Sequence, residues 1–121
     1  MPNTVRAALL AAALCAVAGV AQAHPELVKA DPAVRGHVSG SPRALRITFS
    51  EPLVPAFSGA ELIGPSGQAV KLGKPAVDSK DKRVLIVPIT ARLAPGTYTV
   101  KWHAVSSDTH RITGSYTFMV M

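Results

Sequence analysis

Cysteine is nearly absent from this sequence. The only one, Cys15, lies inside an apolar stretch near the N-terminus. A disulfide within one chain needs two cysteines, so no such bond can staple the fold. We therefore expect a packed core to hold the protein together, which a domain of about 100 residues can provide.

Aromatic residues and concentrated positive charge are also scarce. Aromatics make up 5% of the chain, and the formal net charge of +6 comes from basic residues scattered along it. The densest basic group, Lys80-Asp81-Lys82-Arg83, is interrupted by an acid. Nucleic-acid binding favours clustered Lys and Arg with interleaved aromatics. The sequence therefore predicts a soluble basic surface and no nucleic-acid partner.

Long apolar runs are confined to the N-terminus. Arg6 precedes the run Ala7 to Val20, and Ala21-Gln22-Ala23 follows it. This is the three-part layout of a secretory signal, and the run is shorter than the ~20 residues that a membrane-spanning helix needs. Lipid attachment at Cys15 is disfavoured because that residue lies within the run. We expect residues 1–23 to be a cleaved signal peptide and residues 24–121 to form one mature domain.

Two-residue alternation of apolar and polar side chains dominates the rest of the chain and predicts half-buried strands. The predicted strands are Glu26–Ala30, Ala44–Ser50, Ala60–Ile63, Ala69–Leu72, Val84–Val87, Thr97–Val105 and Arg111–Met121. Ten prolines and nine glycines, many of them in turn clusters between these segments, disfavour long helices. About seven short strands predict an all-β, two-sheet sandwich with Trp102 in its core.

His24 becomes the first residue of the chain if the signal is cleaved after Ala23. Its α-amine and its imidazole Nδ1 could then close a chelate ring on one metal ion, and such nitrogen ligands suit Cu(II). Pro25 has no amide proton and cannot supply a backbone nitrogen, so further ligands would come from elsewhere in the fold. The alternative is that cleavage leaves a histidine there by chance.

The segment Ser106-Ser107-Asp108-Thr109-His110 offers a carboxylate and an imidazole two residues apart. If the backbone is extended, both side chains lie on one face and can complete a nitrogen and oxygen ligand set. The alternative is a turn at a strand end, with Asp108 bonded to its own backbone and His110 on the surface.

Several motifs together resemble a known family. They are His24-Pro25-Glu26-Leu27-Val28, Phe49-Ser50-Glu51-Pro52-Leu53-Val54, Phe57-Ser58-Gly59-Ala60, Pro95-Gly96-Thr97-Tyr98 and Trp102 to His110 followed by Thr113-Gly114. They look like CopC-type periplasmic copper-resistance proteins, and the likeness extends over the whole mature chain. The segment Trp102 to Gly114 is the most specific part.

The resemblance implies a cupredoxin-like Greek-key β-barrel, a closed sandwich, that binds one Cu(II) per chain in the periplasm without catalysis. It implies His24, Asp108 and His110 as the Cu(II) ligands. It also places Glu51 beside the site, where we expect it to orient an imidazole by a hydrogen bond. The implied partner is a membrane copper-import protein of the CopD type.

Two features depart from the family pattern. Some members bind Cu(I) through a methionine-rich loop, but the corresponding stretch, Leu62 to Val77, contains no methionine and no histidine. Because Cu(I) selects soft thioether ligands, we expect no second, Cu(I) site. His103 stands where the family has arginine, and its position on the polar face of a strand predicts a surface residue.

Three further residues have candidate metal-binding side chains but no assigned role. His37 lies in a turn-rich segment with no evident partner. Met119 and Met121 share a face near the C-terminus, which we interpret as packing or fraying at a chain end.

Two other functions compete with copper carriage. An N-terminal histidine also holds copper in enzymes that cleave polysaccharides oxidatively, but those enzymes are larger and need a flat aromatic face. The third hypothesis is an immunoglobulin-like interaction module that binds no metal.

Overall fold

The computed structural model describes residues 25–121. The predicted signal peptide, residues 1–23, and His24 lie outside the described residues. Nine strands and one short 3₁₀ helix, Pro55–Phe57, make up the regular structure of the described part. The strands are β1 Leu27–Asp31, β2 His37–Val38, β3 Ala44–Phe49, β4 Gly59–Ile63, β5 Ala69–Val70, β6 Ala76–Val77, β7 Val84–Pro88, β8 Gly96–Val105 and β9 Arg111–Val120.

The strands form two sheets. The smaller sheet has the order β1-β3-β7-β6, and the larger has the order β2-β9-β8-β4-β5. All neighbours are antiparallel except β2, which pairs in parallel with the end of β9. The long hairpin β8–β9 is the centre of the larger sheet, because its register runs without a break from Gly96↔Val120 to Val105↔Arg111.

The core lies between the inner faces of the two sheets. Leu45, Ile47 and Phe49 of β3 are completely buried, as alternation in the sequence predicts. The Trp102 ring of β8 packs edge-on against Phe49, with the ring centroids 5.0 Å apart. Tyr98 stacks on Phe118 and donates its hydroxyl to the Ala94 carbonyl at 2.7 Å. The prediction of Trp102 as a core residue is confirmed.

The all-β sandwich predicted from the sequence is confirmed, and every predicted strand is present with small shifts at its ends. Two strands were not predicted, β2 and β6, and each is only two residues long. Residues 25–121 contain no helix that is long and apolar enough to span a membrane. The loops that matter for the candidate site lie at the end of the sandwich where β3 and β8 finish and β1 and β9 begin.

Candidate metal centre

The loop Ser106–His110 joins β8 to β9 and is a tight turn. The Ser106 amide donates to the His110 carbonyl at 3.0 Å, and the Thr109 amide donates to the Ser106 carbonyl at 2.8 Å. Thr109 has a φ of 71°, which reverses the chain direction at a residue other than glycine. The extended backbone considered for this segment is therefore wrong, and the alternative, a turn at a strand end, is what forms.

The turn still brings the two candidate ligands together. The Nδ1 atom of His110 lies 3.2 Å from Oδ2 of Asp108. Both side chains are nearly half exposed, 49% for His110 and 43% for Asp108, so an ion in solution can reach them. Their contact results from turn geometry and not from strand alternation.

Ser106 positions the Asp108 carboxylate. Its side chain is completely buried, and its hydroxyl donates to Oδ1 of Asp108. This hydroxyl, and next the His110 ring, hold the pKa of the Asp108 carboxyl below its ordinary value. Asp108 therefore keeps its negative charge to a lower pH than an unperturbed aspartate. Ser106 was not assigned a role from the sequence, although its place directly before the Ser107-Asp108 pair was a possible signal.

The segment Ser50–Val54, which follows β3, connects this loop to the N-terminal end of the described chain. On one side, the Glu26 amide donates to Oγ of Ser50, and the Ser50 amide donates to the Glu26 carbonyl, both at 2.8 Å. On the other side, the Ser107 amide donates to the Pro52 carbonyl at 3.2 Å. Spacing in the sequence could not show that these two distant parts of the chain approach each other, and this segment brings them to one end of the sandwich.

A buried serine fixes the far end of the same segment. The Ser58 hydroxyl donates to the Val54 carbonyl at 2.8 Å and accepts the Val105 amide at 3.0 Å. The Val54 amide in turn donates to the Val105 carbonyl at 2.8 Å. Ser58 and Ser106 are the two buried polar residues of the described chain. Ser58 attaches the segment Ser50–Val54 to the end of β8, and Ser106 holds Asp108 of the neighbouring loop.

Pro25 anchors the point where the N-terminus reaches the domain. Its ring is among the fully buried side chains of the described chain. A buried ring with the adjoining Glu26 amide bonded to Ser50 leaves little freedom in the chain direction. The predicted ligand His24 directly precedes Pro25 and lies outside the described residues.

The other two residues considered for the site, Glu51 and His103, lie in different parts of the structure. Glu51 is half-buried and lies between Ser50 and Pro52, the two residues whose hydrogen bonds hold the N-terminal end and the loop. His103 lies on the outer face of the larger sheet, paired with Gly59 and Thr113. A Cβ placed on Gly59 would lie 3.1 Å from Cε1 of His103, so this imidazole packs over a glycine on the neighbouring strand.

The described donors fit a metal ion in part. Nδ1 of His110 donates a hydrogen bond to Oδ2 of Asp108 at 3.2 Å, so the two donors lie together, and a bound ion would have to replace the proton between them. No cluster of three or more His, Cys, Asp or Glu side chains that could hold a metal occurs within residues 25–121.

Comparison with known proteins agrees with this fold. The CopC domain family matches residues 27–121. Protein YobA of Escherichia coli strain K12 is 42% identical over 98 residues, which cover 81% of this chain and 79% of YobA. Copper resistance protein C of Pseudomonas syringae pv. tomato is 41% identical over 109 residues, which cover 86% of each protein. The crystal structure of PcoC, a methionine-rich copper resistance protein from Escherichia coli, superposes with a TM-score of 0.72 at 39% identity, over 82% of this chain and all of PcoC. The resemblance inferred from the sequence motifs is thereby confirmed, and the chain belongs to the CopC family.

Proposed function

We propose that this protein is a periplasmic copper-binding protein that holds one Cu(II) per chain at the loop end of the sandwich. The ligands are the α-amine and Nδ1 of His24, a carboxylate oxygen of Asp108 and an imidazole nitrogen of His110. Glu51 stands beside them and orients an imidazole. The mature domain is residues 24–121, released when a signal peptide of residues 1–23 is removed.

One observation carries this proposal: His110 and Asp108 face each other at 3.2 Å on a loop that is hydrogen-bonded to the segment holding the N-terminal end. Nitrogen and oxygen donors in a tetragonal arrangement suit Cu(II), which also leads the divalent ions in affinity. The buried Pro25 ring fixes the first described residue at this end of the sandwich.

The role is sequestration of copper or its delivery to a membrane partner of the CopD type, and it is not catalysis. Oxygen chemistry at copper needs an open coordination position, which Asp108 would occupy. A polysaccharide-binding face needs exposed aromatics, and among the six aromatic residues of the described chain only Phe57 is exposed. Turnover of oxygen and a reductant on a polysaccharide would reverse this assignment.

The test uses protein exported from cells, with an N-terminus verified as His24. Equilibrium dialysis against Cu(II) should give one ion per chain, and the electron paramagnetic resonance spectrum should show a tetragonal centre with nitrogen hyperfine structure. Retention of no Cu(II) would leave the metal-free interaction module as the correct hypothesis. A spectrum whose g and copper hyperfine values indicate an all-oxygen donor set would exclude His24 and His110 as ligands.

A further inference from the structure

The end of the sandwich opposite the Asp108 loop carries the soft donor atoms of the domain. β2 pairs in parallel with the end of β9, and its register sets His37 opposite Met119. The pairing continues past the strand end, since the Met119 amide donates to the Gly36 carbonyl at 2.9 Å and the Met121 amide donates to the Val38 carbonyl at 2.8 Å. Met121 therefore follows Met119 on the same face.

These side chains point outward. Val38, Phe118 and Val120 pack into or against the core, and the alternate positions His37, Met119 and Met121 are exposed. Met119 is 38% exposed and Met121 63% exposed. The sequence suggested packing or fraying for the two methionines and no partner for His37, and the strand register adds that His37 lies beside Met119.

We propose that His37, Met119 and Met121 form a second metal site that takes a soft monovalent ion, Cu(I) or Ag(I). Two thioether sulfurs and one imidazole nitrogen are donors that Cu(I) selects. The site is distinct from the proposed Cu(II) centre, because β9 spans the sandwich and its ten residues separate the two by about 30 Å. This proposal replaces the expectation of no Cu(I) site, which considered only the Leu62–Val77 loop.

The spacing of the three residues suits convergence on one ion. Neighbouring strands are about 4.8 Å apart, and residues two apart on a strand are separated by about 6.6 Å. A methionine side chain has three rotatable bonds and an unbranched stem, so two thioethers can close those gaps. His37 and Met119 share the wall of a shallow recess of about 120 Å³. Met121 lines a neighbouring recess, so its flexible side chain must turn towards the other two to complete the site.

The charge around the recess favours a monovalent ion. Arg35 lines the same recess, along with Thr97 and Thr117, whose hydroxyls are neutral. A neighbouring guanidinium repels a divalent ion about twice as strongly as a monovalent one at the same distance. No carboxylate lines the recess to offset that repulsion. The recess therefore lacks the negative charge and the carboxylate oxygen ligands that hard divalent ions favour.

The test uses the mature chain, in which Met119 and Met121 are the only methionines. With methionine labelled at the methyl carbon, the spectrum contains two methyl signals, assigned by the variants Met119→Leu and Met121→Leu. Titration with silver nitrate in chloride-free buffer should shift both signals together up to one equivalent. Competition with a Cu(I) chelator under anaerobic conditions should show that the double leucine variant binds at least about tenfold more weakly.

His37→Ala should reduce both methyl shifts, and His103→Ala, which removes an imidazole from the middle of the larger sheet, should leave them unchanged. Methyl signals that do not move while Ag(I) binds would overturn the proposal. Equal Cu(I) affinity of the double leucine variant and the parent would overturn it too. Cu(II) binding at the opposite end is expected to be the same in all these variants, so the two proposals fail separately.

Discussion

At the scale of single residues, the side chains of the Ser106–His110 loop have different tasks. His110 and Asp108 present donor atoms to solvent, and Ser106 is buried beneath them with its hydroxyl on the carboxylate. A ligand and the residue that positions it should respond differently to substitution. That difference separates the predicted ligands from their neighbours.

We expect His110→Ala to weaken Cu(II) binding severely, because it removes an imidazole nitrogen that water replaces poorly. Asp108→Ala should cost less, since water can replace a carboxylate oxygen. Competition titrations of correctly processed protein measure both. His103→Ala is the control and should change little, because that imidazole packs over Gly59. Equal damage from His103→Ala and His110→Ala would show that the outer-face histidine is a ligand.

Ser106→Ala tests the positioning role. Loss of the hydroxyl removes the hydrogen bond to Asp108, and we expect Cu(II) affinity to fall by about tenfold and the free energy of unfolding by about 1 kcal/mol. The matched control is the next residue: Ser107 is exposed and holds Pro52 through its backbone amide, which alanine keeps. If Ser107→Ala weakened copper binding as much as Ser106→Ala, the buried hydroxyl would have no special role.

At the scale of elements, the hairpin β8–β9 links the core to the candidate site. Gly114 of β9 lies opposite Trp102 of β8, and a Cβ on Gly114 would collide with the indole ring. The ring is also held by Phe49 of the other sheet, so it has little room to move away. The glycine of the Thr113-Gly114 motif is therefore required for packing.

Gly114→Ala should lower the free energy of unfolding by about 1–3 kcal/mol, the usual cost of overpacking a core. Urea denaturation monitored by Trp102 fluorescence measures it. Ser115→Ala, one residue along on the exposed face, should stay within about 0.5 kcal/mol of the parent. A stable Gly114→Ala variant with unchanged fluorescence would mean that the indole has an alternative position.

The turn between β6 and β7 depends on a charged carboxylate. Asp78 accepts the Lys80 amide at 2.8 Å and pairs with Arg46 of β3 at 3.0 Å. The Lys80 amide, and next the Arg46 guanidinium, hold the pKa of Asp78 below its ordinary value. The folded pKa is thus lower than the unfolded one, so the stabilisation is full above the unfolded pKa and is lost as pH falls through the folded pKa.

We therefore expect Asp78→Asn to be less stable than the parent at neutral pH, and the gap between the two to close in acid. Thermal melts of both proteins across the acidic range test this. A gap that stayed constant to the lowest pH would mean that the carboxylate charge is not involved.

The elements also show what a sequence can predict. Long segments with strict alternation, such as Ala44–Phe49 and Arg111–Val120, were predicted because four or more residues establish a period. His37–Val38 and Ala76–Val77 were missed because two residues have no period. Asp108 and His110 were identified by motif. The turn that joins them depends on a positive φ at Thr109, a conformation that β-branched residues rarely adopt, so the sequence did not predict it. The neighbourhood of His37 and Met119 depends on strand register, which spacing along the chain does not encode.

At the scale of the whole molecule, the proposed Cu(II) site depends on how the chain begins. One extra residue before His24 converts its α-amine into an amide and removes the chelate. We expect Cu(II) affinity to fall at least about a hundredfold, with the thermal stability of the metal-free protein almost unchanged because Pro25 and β1 are intact. Competition titration and thermal melts of the two forms measure this. Equal affinities would leave His24 an ordinary surface histidine.

The segment Ser50–Val54 has a consequence for the timing of copper capture. It accepts hydrogen bonds from the Glu26 amide on one side and the Ser107 amide on the other. The site thus unites parts of the chain that are about 80 residues apart, and contacts of such separation form slowly. A chain crossing a membrane with its N-terminus leading delivers His24 first, and it delivers Asp108 and His110 only when nearly all of the domain has passed. In the exported protein that we propose, removal of the signal peptide must free the His24 α-amine, and nearly all of the domain must cross before the ligands meet, so tight copper retention marks the completion of both steps.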